Sequence, residues 1–238
     1  MFRNIPPITK NLLILNTLFF AAKYLLYSPT LDLDILLGAF FPFSENFKSF
    51  QIITHMFMHA NFTHFLFNMF ALWMFGSTVE KALGPKKYVI LYFAAGLGAF
   101  ALFNLTNYIE AKSLIDFYNL TGEQIEELRR LEPGMGYDSM MDLSMIYSTP
   151  MMGASGAIFG VLTAFGVMFP NAVLMLIFPP IPMKAKYFIP IYIAIELYLA
   201  VESNPGDNVA HYAHLGGALI GFILVKIWKN NINSHRWD

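Results

Sequence analysis

The stretches 11–27, 57–78, 87–105, 154–170, 187–202 and 211–228 are apolar runs approaching the roughly 20 residues that a helix needs to cross a bilayer. Lipid offers the backbone no hydrogen-bond partner, so each run must satisfy its own peptide groups, as a helix does. The expected fold class is all-α: a polytopic membrane protein of six transmembrane helices, forming a single domain over residues 1–238. Composition agrees. Hydrophobic residues make up 56% and charged residues 13% of the chain, with a mean hydropathy of +0.51, against about 25% charge in ordinary soluble domains. A net charge of −1 argues against nucleic acid as a partner. The chain has no cysteine, which excludes disulfides, thiolate metal sites and a cysteine nucleophile. Arg3 and Lys10 precede the first run, and no small-residue cleavage site follows it, so a retained first helix is expected.

The fourth run is short and begins at the Gly153-Ala154-Ser155-Gly156 turn; the fifth follows the proline-rich link Phe178-Pro179-Pro180-Ile181-Pro182. Both read as helices wrapped in protein rather than bathed in lipid. Gly156 and Gly160 on the fourth run, and Gly217 and Gly221 on the sixth, have the small-residue spacing that lets helix backbones approach closely in lipid. Contact along those faces would bring Ser155 and His214 together. Lysine and arginine concentrate in the segments on the N-terminal side of the membrane, and acids collect on the other. This bias predicts both termini in the cytoplasm and Ser155 near the outer face.

Two outer segments are long. Residues 28–53 mix leucine and phenylalanine with proline and acids, which suits an interfacial, partly embedded loop. The extracytoplasmic insertion 106–150 contains Thr121-Gly122-Glu123-Gln124, a capping-box pattern, followed by Ile125, Leu128 and Leu131 at helical spacing. It predicts a short amphipathic helix lying on the outer membrane surface.

Polar side chains at bilayer depth are expensive and usually functional. Ser155 is a candidate nucleophile, and a hydroxyl needs a base, for which His214 is the best-placed group. His211, one turn earlier, is the weaker alternative, because Gly217 and Gly221 follow His214 at i+3 and i+7. The sequence offers no third residue to orient the histidine, so a dyad is the economical reading. Gly-Ala-Ser-Gly-Ala departs from the Gly-x-Ser-x-Gly elbow, since Ala157 takes the second glycine's place. Gly153 and Gly156 give room for a substrate chain beside the hydroxyl.

The second run opens with His55, His59, His64 and Asn68. His64 and Asn68 stand at i and i+4 on one helix face, where both could donate to a developing oxyanion. Three histidines so close in sequence could also ligate Zn²⁺. No acid lies between His55 and His59, however, and those two read better as residues fixing the preceding loop. Neither a metal nor a cofactor is expected. Glu196, the acid inside a span, either pairs with a polar neighbour or faces a wet crevice.

These motifs, taken in order, resemble the rhomboid family of intramembrane serine proteases. Thr54-His55-Met56-Phe57-Met58-His59 through His64 to Asn68-Met69 is similar to the family's second-helix signature. Phe75-Gly76 with Glu80-Lys81-Ala82-Leu83-Gly84 is similar to the link after it. Gly153-Ala154-Ser155-Gly156 and Ala213-His214-Leu215-Gly216-Gly217 are similar to its nucleophile and base segments. The resemblance runs from about residue 50 to 225 and implies a six-helix rhomboid-like bundle. It implies Ser155 as nucleophile and His214 as base and then acid. His64, Asn68 and the Ser155 N–H would form the oxyanion site, and Phe159 would pack on the histidine. Where many members have Trp-Arg before the second helix, this chain has Phe50-Gln51, so its loop is not anchored by that arginine. The resemblance further implies transmembrane protein substrates cleaved at small residues among membrane lipids, with 203–210 as a mobile cap beside the fifth helix. A bacterial inner (cell) membrane is the expected location. Two other readings compete: a non-catalytic rhomboid-like protein that binds membrane clients, and a transporter or metal-site protein, which would need an ionisable pathway through the midplane.

Overall fold

The computed structural model describes residues 5–135, 140–175, 181–202 and 210–230. Eleven helices appear among them: α1 Pro7–Leu25, α2 Leu33–Leu37, α3 Gln51–Thr54, α4 Phe62–Ala71, α5 Ser77–Leu83, α6 Pro85–Tyr118, α7 Gly122–Arg129, α8 Met141–Ser148, α9 Ser155–Met168, α10 Ala185–Glu202 and α11 His211–Asn230. The protein is mostly helical. One feature departs from the expected all-α class: β1 Val173–Met175 pairs antiparallel with β2 Pro182–Lys184, Leu174 facing Met183. By length and composition, two described helices could cross a membrane, α6 and the His211–Trp228 part of α11; α9 is a shorter apolar helix. Residues 203–209 of the expected cap and much of the proline-rich link before α10 lie outside the described residues.

The second apolar run is not one helix from its start. His55–Phe57 forms a 3₁₀ turn, and helix begins again at Phe62, where the Asn61 side chain accepts the His64 N–H at 2.9 Å. That is a helix N-cap, which asparagine fills well. The helix then continues through a π turn at Leu72–Gly76 into α5. At Gly76 a side chain would collide with the Tyr88 hydroxyl of α6.

The α1 terminus is capped from a distance. Glu80 of α5 is 2% exposed, and it accepts Ile8 N–H at 2.9 Å, Thr9 N–H at 2.6 Å and the Thr9 hydroxyl at 2.7 Å. A carboxylate at the positive end of a helix, taking its orphan N–H groups, offsets its own burial. At the other end of α1, Lys23 lies 2.6 Å from Asp34 and donates to the His59 and Ala60 carbonyls at 2.9 and 2.8 Å. Lys23 thus ties α1 to α2 and to the loop before α4.

The 28–53 segment folds onto the protein. Phe40 and Phe41 are buried while Phe43 and Phe50 remain exposed. Ala39 pairs with Met151 through two backbone hydrogen bonds of 2.9 and 2.8 Å. Gln51, 1% exposed, organises the turn: its amide oxygen accepts Lys48 N–H at 3.0 Å and Phe40 N–H at 3.4 Å, and its amide nitrogen donates to the Leu36 and Asn46 carbonyls at 3.3 Å. Gln51 thus anchors a loop for which no arginine anchor was expected.

Residues 106–150 hold more than the one short helix expected. Helix α6 continues to Tyr118, well past residue 105, and α8 follows α7. The capping box at Thr121 and Gln124 forms as read. The apolar face of α7 does not lie free, because Leu128 is buried in a satellite core with Phe41, Ala111, Leu143 and Tyr147.

At the centre, α6, α9 and α11 meet through small residues. A side chain on Gly156 would strike Ala99, one on Gly160 would strike Ala95, and one on Gly217 or Gly221 would fall on the Gly156 or Gly160 carbonyl. Backbone-to-backbone approach of this kind is how apolar helices gain packing where the hydrophobic effect is weak.

Candidate active site

Ser155 is the first residue of α9, and Ala154 before it makes no side-chain cap. The N–H groups of the first turn are therefore free of capping side chains, and the helix dipole presents positive charge there. Gly153 precedes this turn with φ +134°, a conformation that side-chain-bearing residues rarely adopt. Space forbids a side chain as well. A Cβ there would stand 2.9 Å from His64 Cε1, 3.0 Å from His64 Nε2 and 3.4 Å from Ser155 Oγ. Gly153 thus lets the His64 ring and the Ser155 hydroxyl share one side of the turn. Its N–H donates to the His55 carbonyl at 2.9 Å.

The α9–α11 contact delivers His214 to this point. Its Nε2 lies 2.9 Å from Ser155 Oγ. Phe159, one turn after Ser155, stacks on the imidazole with centroids 4.2 Å apart and planes 8° from parallel. Behind Phe159 stands Tyr192 of α10, with ring centroids at 5.1 Å. The histidine is held on its face and at both nitrogens, because Nδ1 lies 2.8 Å from Glu196 Oε2.

Glu196 is the residue that sequence reading left without a role. It is buried on α10, and Oε2 also lies 2.7 Å from His211 Nδ1. Of the two readings left open for it, pairing with a polar neighbour is the one the structure bears out. The expected dyad therefore has a third member in contact. The one signal in the sequence was an acid in the middle of a largely apolar helix; nothing linked it to a histidine eighteen residues onward on another helix. His211 faces Glu196, and the serine contact belongs to His214.

The other sequence candidates are placed as follows. Asn68, buried, donates from Nδ2 to the His64 carbonyl at 2.9 Å, one turn back on its own helix. His55 is buried in the 3₁₀ turn that follows α3, and its ring Nδ1 meets the Gln51 carbonyl at 2.8 Å. Burial pushes its imidazole down to about 4. His59 is fully buried with its ring edge-on to His64 and Phe65, at centroid distances of 5.3 and 5.5 Å. Among the described residues, the histidines of this segment do not converge on a metal-sized cluster. The group that does is Glu196, His211 and His214, whose ligand atoms lie within 4.8 Å of one another.

A rhomboid domain is matched over residues 46–230, most of the chain and all of this site. The chain belongs to the rhomboid family. It is similar to rhomboid protein 1, mitochondrial, of Saccharomyces cerevisiae, at 28% identity over 173 residues, covering 73% of this chain and 40% of the yeast protein. It is 30% identical over 171 residues to the rhomboid protease AarA of Providencia stuartii, covering 71% of this chain and 52% of that one. It is 30% identical over 183 residues to RHOMBOID-like protein 12, mitochondrial, of Arabidopsis thaliana, covering 75% and 47%. This rhomboid chain thus spans about half the length of the curated relatives it matches. Two of these relatives carry mitochondrial names, and this overturns the expectation of a bacterial inner membrane.

Proposed function

We propose that this rhomboid is an intramembrane serine endopeptidase, a single six-span domain that cleaves transmembrane segments of other membrane proteins through an acyl-enzyme. The observation that carries the reading is the 2.9 Å contact between His214 Nε2 and Ser155 Oγ at the start of α9. In this reaction the hydroxyl proton passes to His214 Nε2 as Oγ attacks the scissile carbonyl. The oxyanion that develops meets the uncapped N–H groups of the α9 first turn, with the His64 ring alongside and Asn68 behind it on α4. The imidazolium then gives its proton to the leaving amine. Water, deprotonated by the same nitrogen, releases the acyl group and regenerates the serine. A substrate helix has its amides already paired within itself, so it must unwind locally before a carbonyl can reach Ser155.

A serine-directed fluorophosphonate tests this directly on the detergent-purified protein. Labelling of wild type, with none in Ser155→Ala or His214→Ala and no effect of chelator, is the expected result. Absence of labelling in all three, with folded protein that cleaves no transmembrane helix in liposomes, would sink the protease reading and favour client binding without catalysis.

A further inference from the structure

We propose that Glu196 is a positioning residue that sets the tautomer of His214, so that this rhomboid works through a Ser155–His214–Glu196 relay braced by His211. The inference rests on the protease reading of Ser155 and His214, and it adds a component that the dyad lacks.

The argument starts from what each atom can do. An ionised carboxylate only accepts hydrogen bonds, so a ring nitrogen 2.8 Å from Glu196 Oε2 must carry the proton. That nitrogen is His214 Nδ1. A neutral imidazole has one N–H, so Nε2 is then bare and accepts the Ser155 hydroxyl 2.9 Å away. Without the carboxylate, nothing in the described contacts holds the proton on Nδ1, and a proton on Nε2 would face the serine with a donor where an acceptor is required. The same oxygen takes a second donor, His211 Nδ1 at 2.7 Å. His211 and His214 are neighbours at i and i+3 on α11, so two rungs of one helix grip one oxygen of α10. This fixes the carboxylate as well as the imidazole. Both histidines and the glutamate are buried, with exposures of 8%, 8% and 5%. The carboxylate thus stands against the ring on which positive charge develops when Ser155 attacks.

Position explains why the acid is tolerated in an apolar helix. Two donors on one oxygen satisfy a buried charge that would otherwise be expensive. Phe159, backed by Tyr192, closes the imidazole face, so His214 cannot rotate away without breaking the 8° stack.

The test uses the full chain in lipid nanodiscs, a fluorophosphonate probe and ¹⁵N-histidine spectra assigned with a His214→Gln variant. Glu196→Gln and Glu196→Ala are expected to slow the maximal labelling rate about 10²–10⁴-fold, with the half-saturating probe concentration within roughly threefold of wild type. Glu196→Asp should recover part of the rate. In wild type, His214 should carry its proton on Nδ1; in Glu196→Gln it should move to Nε2. Folded Glu196→Gln that labels at the wild-type rate would overturn the proposal. So would labelling that disappears with chelator and returns with Zn²⁺, since Glu196, His211 and His214 would then be metal ligands. If wild type does not label at all, the protease reading fails on its own account. The spectra still decide for Glu196: Nδ1 protonation at His214 that survives Glu196→Gln refutes its role.

Discussion

Gly217 of α11 rests against the backbone of Gly156 on α9, so close that a methyl group on Gly217 would fall on the Gly156 carbonyl oxygen. This contact sets the distance between two helices that carry the histidine and the serine on adjoining turns. The site is therefore as much a product of two missing side chains as of two reactive ones.

Gly217→Ala should force α11 away from α9. Overpacking a tight contact costs about 1–3 kcal/mol, and here the obstacle is backbone rather than a flexible side chain. The expected outcome is a lower unfolding temperature in detergent together with loss of fluorophosphonate labelling. An alanine variant matching wild type in both would show that the helices do not meet at this point.

Gln51 should behave as a structural anchor. Truncation in Gln51→Ala leaves the N–H groups of Lys48 and buried Phe40 without their acceptor, at about 1–3 kcal/mol for each group stranded away from water. Hydrogen exchange should quicken across residues 36–51 while α11 keeps its protection. Uniform exchange in both regions, unchanged from wild type, would count against the anchor.

Glu80 caps a helix that lies more than seventy residues earlier in sequence. Glu80→Gln removes the charge at the α1 terminus and should lower stability by about 1–3 kcal/mol, with Glu80→Ala worse because three donors then lose their partner. Faster exchange at Ile8 and Thr9 is the direct readout. Equal stability of all three proteins would mean that solvent satisfies the α1 terminus.

What could be read from the chain followed the range of the interactions. The starts of α9, α10 and α11 lie within two residues of the runs that predicted them, because apolar length and a glycine turn are local signals. The Ser155–His214 pairing was legible for a different reason, since Gly156, Gly160, Gly217 and Gly221 mark a common face. Glu196 was not legible as a partner, because an acid in mid-helix does not say which helix it meets. Nor was Gln51, whose partners are backbone groups of a loop with no repeating pattern. The full length of α6 was not legible because its second half turns polar, while Ala111 there packs with Leu128 of α7 and Leu143 of α8.

The loop before α4 should be acid-sensitive through His55. Its ring N–H donates to the Gln51 carbonyl, and burial holds the imidazole down to about 4 from an ordinary value of 6.5. Between those two values the unfolded chain binds a proton that the folded one refuses, so folding stability rises with pH across that window. Falling pH removes this contribution progressively, on the order of 3 kcal/mol once the folded value is passed. Because His55 also accepts Gly153 N–H on its carbonyl, protonation here loosens the turn that leads to Ser155. Thermal unfolding in detergent, scanned at a series of pH values for wild type and His55→Gln, measures the effect. The variant should start from a lower stability at neutral pH and decline less steeply on acidification. Parallel curves would place the acid sensitivity elsewhere in the fold.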